Sequence, residues 1–194
     1  MTKHNILVVG AGKIGLTVAI LLNSSKDYKV FLGDIAKTHA LPKMKNNPIE
    51  FVCININKAN EIIKLIKKEK IAAVISCLPF NLTIRVAEIA HECGIHYFDP
   101  TEDVATTDAV AKLAIGSKSV FASQCGLAPG FVSIAANSFM HNLDEIDTVK
   151  MRVGALTQSS SNTMKYAFTW SIDGVINEYI HPCTVIRDSK KIQM

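Results

Sequence analysis

Long apolar runs are missing from this sequence. The apolar run before the first glycine, Ile6–Val9, has only four residues. A secretory signal needs an apolar stretch of about 7–15 residues, and a membrane-spanning helix needs about 20. We therefore expect no secretory signal and no membrane partner, and we place the protein in the cytoplasm.

A strong excess of one charge is also missing. The net charge is +4 over 194 residues, and the basic residues are spread along the chain apart from one cluster near the end of a predicted helix. That cluster comprises Lys64, Lys67, Lys68 and Lys70. A solvated helix face explains the cluster better than a nucleic-acid surface does, so we expect no nucleic-acid partner.

The cysteine pattern lacks the spacing of a metal or redox site. None of the five cysteines forms a CxxC pair, and their number is odd. Cys53, Cys77 and Cys183 lie within apolar runs. This arrangement is typical of small buried thiols in a reducing compartment, so we expect neither disulfides nor a bound metal.

What the sequence does have is a regular alternation of strand and helix patterns. Apolar residues make up 48% of the chain and charged residues 20%, a balance that supports a packed core. The predicted strands cover residues 5–9, 29–33, 51–54, 71–76, 96–98 and 119–122. The predicted helices cover residues 16–23, 60–70 with Asn60 as N-cap, 81–93 ending at Gly94, 107–115 ending at Gly116, and 129–141 opened by Pro129. Short connections between such elements predict an α/β fold with a doubly wound parallel sheet.

The pattern changes near residue 148, and we place a domain boundary there. Residues 1–147 form the predicted α/β domain, and residues 148–194 form the beginning of an α+β second domain. In this second part we expect strands over 148–153, 165–170 and 183–187, a polar loop over 157–163 and a helix over 173–179. Roughly fifty residues are too few for a substrate or dimerisation domain. We therefore expect either a longer natural chain or self-association as a homodimer, with little turnover by these residues alone.

A glycine-rich turn follows the first predicted strand. Gly10, Gly12 and Gly15 form a GxGxxG motif between a buried strand and a helix. In a dinucleotide site the first glycine permits the tight turn, the second lets the pyrophosphate approach, and the third lets the helix pack closely. The turn also contributes Lys13 and Ile14 at a helix N-terminus, which favours phosphate binding. The alternative is an ordinary strand–turn–helix connection.

An acidic residue ends the second predicted strand at the position where a ribose would lie. Asp34 stands 24 positions after Gly10 and is followed by Ile35. A carboxylate there accepts hydrogen bonds from ribose hydroxyls and repels a 2′-phosphate, so we expect NAD rather than NADP. A solvated loop aspartate would leave this preference undecided. The loop after the fourth strand adds Cys77, Leu78 and Pro79 as residues that would contact the dinucleotide, unless proline merely fixes a plain turn.

Four stretches together resemble the saccharopine dehydrogenase-like family. They are VVGAGKIG at the N-terminus, HYFDP at residues 96–100, CGLAPG at residues 125–130 and WSIDGVINEYIHPCTVIR at residues 170–187. The resemblance is greatest to the lysine 6-dehydrogenase-like branch. Saccharopine reductases have an acid within the GLxPG-type turn, whereas this sequence has Ala128.

The resemblance implies a Rossmann-type domain, an α+β second domain and a dinucleotide-dependent reaction at a carbon–nitrogen bond. The implied substrate is an amino acid or a related amine. Asp99, after the fifth strand, is the candidate catalytic residue, with a turn or helix-capping role as the alternative. Weaker candidates are Thr101, Glu102, Tyr179 and His181, and we interpret His91 and His96 as structural.

Two other functions compete with an amine-oxidising dehydrogenase. A non-catalytic dinucleotide-binding module, such as a sensor, would lack catalytic residues. A short-chain alcohol reductase would need a YxxxK sequence, and this chain has none.

Overall fold

The computed structural model describes residues 3–36, 49–154 and 171–194, together with Gln158, Thr163 and Ala167. The chain divides into two compact units, Met1–Val153 and Gly154–Met194. Among the helices of the described residues, none is both long and apolar enough to cross a membrane.

The first unit contains a parallel sheet of six strands in the order β3-β2-β1-β4-β5-β6. The strands are β1 His4–Val9, β2 Tyr28–Asp34, β3 Glu50–Cys53, β4 Ile71–Ser76, β5 His96–Phe98 and β6 Phe121–Ala122. The helices are α1 Lys13–Ser24, α2 Ala59–Lys68, α3 Phe80–Cys93, α4 Val104–Ala114 and α5 Phe131–Met140. The strand order reverses between β1 and β4, where doubly wound sheets open a ligand crevice. The predicted fold class is confirmed.

Alternate side chains of the central strands pack into two apolar clusters. Leu7 and Phe31 belong to one cluster, whereas Val8 and Leu32 belong to the other. Because successive side chains of a strand point to opposite faces, the two clusters lie on the two faces of the sheet. The continuous apolar runs of β1 and β2 follow from burial on both sides.

Helix boundaries differ from the prediction where local hydrogen bonds decide them. The helix α4 begins three residues earlier than predicted because the Asp103 carboxylate accepts the Thr106 N–H at 2.7 Å and caps it. The N-cap of α2 is Lys58, so the prediction that Asn60 caps this helix is wrong. Gly94 ends α3 as predicted, in the left-handed conformation with φ of 67°.

The predicted helix opened by Pro129 begins later, at Phe131. Pro129 lies in a turn with a cis Ala128–Pro129 bond, and Gly126 and Gly130 form a bridge across that turn. The Phe131 N–H donates to the Gly126 carbonyl, so the turn occupies the start of the helix. Pro129 therefore belongs to the turn, and the prediction of a helix from residue 129 is wrong by two positions.

The strand predicted over Thr148–Val153 is absent. Residues 141–154 are all exposed, and none of the described strands pairs with residues 148–153. An alternating sequence forms a strand only where a neighbouring strand supplies hydrogen bonds, which this segment lacks within the described residues.

The second unit contains one helix and one hairpin. The helix α6, Ile172–Ile180, is capped by Ser171, whose hydroxyl accepts the Gly174 N–H at 3.2 Å. The strands β7 Thr184–Arg187 and β8 Lys190–Gln193 form an antiparallel pair. The predicted helix and the strand near residue 184 are confirmed, whereas β8 was not predicted. The strand predicted over 165–170 and the loop predicted over 157–163 fall outside the described residues, apart from the three isolated positions named above.

The prediction of buried thiols is correct for only part of the cysteines. All five are free, but Cys53 and Cys183 are exposed despite their apolar neighbours. Cys53 ends the edge strand β3, where one side of the strand has no neighbour within the described residues. An apolar sequence context therefore did not ensure burial at the sheet edge.

Candidate cofactor site at the carboxyl ends of the strands

The glycine-rich turn connects β1 to α1 in a conformation that requires two of its glycines. Gly10 has φ of +102°, and a Cβ there would lie 2.9 Å from the Cys77 carbonyl oxygen. A Cβ on Gly15 would overlap the carbonyl of Gly10. These close approaches explain two of the predicted glycine positions.

Gly12 differs from the other two because space around it is open. A Cβ on Gly12 would meet no atom within 4 Å, and its φ of −71° is accessible to any residue. Neither packing nor backbone conformation within the described residues therefore requires glycine there. The requirement would come from a ligand that approaches the backbone, as a pyrophosphate does.

The N-terminus of α1 faces this open space without a side-chain cap. Gly12 is the N-cap and has no side chain that could accept a hydrogen bond from the first N–H groups of the helix. Lys13 and Ile14 are exposed at the first helical positions. The free N–H groups and the positive end of the helix dipole can bind an anion.

Asp34 contacts the glycine-rich turn directly. Its carboxylate accepts the Ala11 N–H at 2.6 Å through one oxygen and the Ile35 N–H at 2.6 Å through the other. The residue ends β2 and is half-buried, whereas Ile35 is exposed. The structure therefore brings the predicted ribose-binding acid and the predicted phosphate turn together.

The loop after β4 lies against the same turn. The Cys77 N–H donates to the Val9 carbonyl at 2.7 Å, and a Cβ on Gly10 would lie 3.2 Å from the Leu78 side chain. Burial raises the pKa of the Cys77 thiol to about 12, and the charge of Asp99 adds to that rise. The thiol is thus neutral at physiological pH. Pro79 is exposed and serves as the N-cap of α3.

Asp99 is buried at the end of β5, with only 1% of its surface exposed. Its carboxylate accepts the Thr101 N–H at 2.8 Å and the Ser123 hydroxyl at 2.8 Å. Burial raises the pKa of Asp99, although the hydrogen bonds from Ser123, Thr101, Tyr97 and Gln124 oppose that rise. The Asp99 backbone carbonyl also accepts the Cys125 N–H at 2.8 Å, so the residue joins β5 to the turn before α5.

Further buried polar groups belong to the end of β4, to α3 and to β5, next to Asp99. The Ser76 and Thr83 hydroxyls are 3.1 Å apart, and the Tyr97 hydroxyl donates to the Thr83 carbonyl at 3.4 Å. Burial raises the pKa of Tyr97, and the Asp99 charge raises it further. These side chains have protein partners and are withdrawn from solvent, which is typical of a structural network.

The weaker catalytic candidates are distributed over both units. Glu102 is half-buried, and burial raises its pKa, with smaller contributions from Asp103 and Asp99. Thr101 is buried beside Asp99. Tyr179 and His181 belong to the second unit and are exposed. In the described part of the chain, His, Cys, Asp and Glu side chains form no group of three that could hold a metal ion.

His91 and His96, which we interpreted as structural, both contact other parts of the protein. His96 Nδ1 accepts the Val120 N–H at 3.0 Å, and the His91 ring packs edge-on against Phe121. The first contact holds the residue just before β6 and the second holds β6 itself, the short edge strand of the sheet.

Sequence reasoning missed two parts of this region. The first is Ala11, whose backbone N–H donates to Asp34. Its position between Gly10 and Gly12 of the motif could have indicated that it belongs to the site. Ser123 donates to Asp99 from a residue 24 positions away in the chain. No local pattern marks Ser123, because only the pairing of β5 with β6 brings it to Asp99.

Comparison with known proteins covers nearly the whole chain. A family model described as the saccharopine dehydrogenase NADP-binding domain matches residues 6–120. A second, described as the saccharopine dehydrogenase C-terminal domain, matches residues 126–194. The first match supports a nicotinamide dinucleotide as cofactor without favouring NAD over NADP.

Relatives and solved structures agree with these matches. The mitochondrial alpha-aminoadipic semialdehyde synthase of Mus musculus is 23% identical over the whole of this chain, which spans 21% of that protein. Apo saccharopine dehydrogenase (L-Glu forming) of Saccharomyces cerevisiae has a TM-score of 0.69 at 17% identity, over 98% of this chain and 44% of the other. The GalE-like L-threonine dehydrogenase of Cupriavidus necator has a TM-score of 0.50 at 16% identity, over 61% and 53% of the two chains. The structural likenesses show a shared fold.

Proposed function

The chain belongs to the saccharopine dehydrogenase family, and from that premise we propose that it binds a nicotinamide dinucleotide for oxidoreduction at a carbon–nitrogen bond. The proposed cofactor-binding residues are Gly10, Gly12, Lys13, Ile14, Gly15, Asp34, Ile35, Cys77, Leu78 and Pro79. The observation that carries the proposal is the open space at Gly12, beside an uncapped helix N-terminus and the Asp34 carboxylate.

Each part of this site matches a part of the dinucleotide. The pyrophosphate would lie over Gly12, where no side chain blocks the backbone and the first N–H groups of α1 are free to donate. The adenosine ribose would lie at Asp34, whose oxygens each keep a second lone pair after bonding Ala11 and Ile35. Leu78 would contact the dinucleotide from the end of β4.

NAD is the proposed cofactor in preference to NADP. A 2′-phosphate at the ribose would lie against the half-buried Asp34 carboxylate, and two like charges at close range repel each other. The family description names NADP, so this chain would be a member in which Asp34 shifts the preference.

The proposed reaction removes hydride from the carbon that bears an amine. A bound oxidised dinucleotide would supply the hydride acceptor. The amine nitrogen would lose a proton, and water would hydrolyse the resulting imine to a carbonyl compound and a free amine. The reverse direction would be reductive amination. The substrate class is an amino acid or related amine, and the lysine 6-dehydrogenase-like branch remains a prediction based on Ala128.

The chain spans about a fifth of the curated relatives' length, so the activity of a whole protein is a proposal for these residues. Asp99 remains the predicted catalytic residue, and its burial favours an alternative in which the described residues only bind the dinucleotide. A homodimer and a cytoplasmic location are further proposals.

Titration with NADH and NADPH, followed by calorimetry or nicotinamide fluorescence, tests the proposal. We expect saturable binding of both, with NADH tighter. Gly12→Val should weaken binding at least about tenfold, because its side chain occupies the pyrophosphate position. Gly154→Val is the matched control, since a Cβ on Gly154 also meets nothing within 4 Å. Equal affinity in both variants would exclude this site.

A further inference from the structure

We infer that Asp34 is a positioning residue for the glycine-rich turn as well as the residue that selects the ribose. This inference rests on the proposed dinucleotide function and adds a second role for one side chain. It follows that removing the Asp34 side chain should lower the affinity for the pyrophosphate, although Asp34 would not contact the pyrophosphate.

The Asp34 carboxylate is fixed at both oxygens by backbone donors. Oδ2 accepts the Ala11 N–H and Oδ1 accepts the Ile35 N–H, both at 2.6 Å. The Asp34 backbone is fixed as well, because its carbonyl accepts the Ile54 N–H at 2.9 Å from the end of β3. Hydrogen bonds to an ionised acceptor are short and strong, so this side chain is held on a rigid strand end.

Ala11 occupies the crest of the turn, between Gly10 and Gly12. The base of the turn is held by backbone bonds, from the Gly10 N–H to the Gly33 carbonyl and from the Leu16 N–H to the Gly12 carbonyl. The Ala11 N–H is instead held by a side chain from the neighbouring strand. Glycines on both sides give this crest few conformational restraints of its own, so the Asp34 bond contributes to its geometry.

The same carboxylate would therefore contribute to binding both the ribose and the pyrophosphate of the cofactor. Ribose hydroxyls would bind the remaining lone pairs of Asp34, and the Ala11 bond would keep the crest open for the pyrophosphate. A purely ribose-selecting aspartate predicts that Asp34→Ala improves NADPH binding, because the repulsion of the 2′-phosphate is removed. The positioning role predicts that loosening of the turn offsets this gain. Asp34→Ala should then bind every dinucleotide more weakly than Asp34→Asn, which also lacks the charge but keeps an acceptor for the Ala11 N–H.

Two substitutions separate charge from positioning. Asp34→Asn removes the charge but keeps an amide oxygen that can accept the Ala11 N–H. Asp34→Ala removes both. The matched control is Asp27→Ala, which removes one exposed acid at the other end of β2 and leaves the turn untouched.

The first measurement needs no ligand. Hydrogen exchange at the Ala11 amide, followed by NMR in the full chain, should accelerate about tenfold in Asp34→Ala, the loss expected for one hydrogen bond to a charged group. Exchange in Asp34→Asn should accelerate less than in Asp34→Ala, because a neutral amide oxygen replaces the charged acceptor. Exchange in Asp27→Ala should stay close to that of the parent. Circular dichroism checks that each variant is folded.

The second measurement compares affinities for NADH, NADPH and inorganic pyrophosphate. Asp34→Ala should bind all three more weakly than Asp34→Asn, by about tenfold, although both variants lack the charge. Unchanged Ala11 exchange in Asp34→Ala, or NADPH binding at least as tight as in Asp34→Asn, would overturn the positioning role. Absence of NADH binding by the parent chain would instead reject the proposed function, while the exchange data would still decide the positioning role.

Discussion

The sheet and the segment after it use similar apolar residues in opposite ways. Leu7, Phe31 and Tyr97 in the strands are at most 1% exposed, whereas Phe131, Ile134 and Phe139 of α5 are 62%, 70% and 73% exposed. Both groups belong to the same compact unit. The strands have neighbours on both sides and apolar side chains on both faces, whereas α5 has no buried residue at all.

The contrast continues beyond α5. Residues 141–154 are exposed throughout, and their apolar side chains include Leu143, Ile146, Val149, Met151 and Val153. The proposed cofactor site lies in the well-packed region, at the ends of the sheet strands β1, β2 and β4. We therefore expect dinucleotide binding to depend on the sheet and to be insensitive to changes in α5.

The largest difference should come from matched phenylalanine truncations. Phe31→Ala removes a fully buried side chain and should lower the free energy of unfolding by about 3–5 kcal/mol. Phe139→Ala removes a largely exposed side chain and should change it by less than about 0.5 kcal/mol. Denaturant unfolding of both variants measures the two values. A large loss from Phe139→Ala would show that α5 is covered in solution.

Two glycines of the turn should also differ in how much their substitution costs. Gly15→Ala forces a Cβ into the Gly10 carbonyl and should destabilise the protein by about 1–3 kcal/mol. Gly12→Ala meets open space and should change stability by less than about 0.5 kcal/mol. Thermal unfolding without dinucleotide compares them. Equal destabilisation by the two substitutions would show that Gly12 has a packing role.

Asp99→Asn should change how stability depends on pH. Burial raises the pKa of Asp99 in the folded chain, so the folded state binds this proton more tightly than the unfolded state does. The corresponding stabilisation is complete below the unfolded pKa of about 3.9 and is lost as pH rises through the folded pKa. Each unit of pKa difference corresponds to about 1.4 kcal/mol.

Denaturant unfolding over that pH range compares the parent with Asp99→Asn. The variant should lack this loss of stability on raising the pH, because the amide does not ionise yet can accept the Thr101 N–H. Asp27→Asn, an exposed position, serves as the control for net charge. Parallel pH profiles of the parent and Asp99→Asn would contradict the raised pKa of Asp99.

The smallest effect on stability is expected on the surface of α5. Ile134→Glu places a charge on an exposed apolar face and should leave the free energy of unfolding within about 0.5 kcal/mol of the parent. Exposed apolar patches promote association, so the same change should raise the monomer fraction. Sedimentation or light scattering over a concentration series measures it. An unchanged distribution of species would show that α5 is not a self-association surface.

Local patterns were sufficient to predict most of the sheet. Continuous apolar runs located β1 and β4, and glycine located the end of α3. The GxGxxG spacing and Asp34 were also recognisable, since each depends on residues close in sequence. Direct contact between Asp34 and Ala11 required the pairing of β1 with β2, which no local pattern reports.

Failures of prediction occurred where a distant neighbour decides the outcome. The alternating residues 148–153 have the pattern of a strand but no strand partner within the described chain. Cys53 has apolar neighbours but lies on an edge strand, so it is exposed. The sequence also gave no sign that Ser123, which follows β6, would donate a hydrogen bond to Asp99. Periodicity predicts an element and its apolar face, but it does not say what covers that face.

The position of the cofactor site can be measured by hydrogen exchange and mass spectrometry, with and without NADH. We expect slower exchange on NADH binding in peptides that contain residues 10–15, 34–35 and 77–79. We expect no change in peptides from 127–154, where apolar side chains remain exposed. Protection confined to 127–154, or no protection at the glycine-rich turn under saturating NADH, would contradict a cofactor site at the carboxyl ends of β1, β2 and β4.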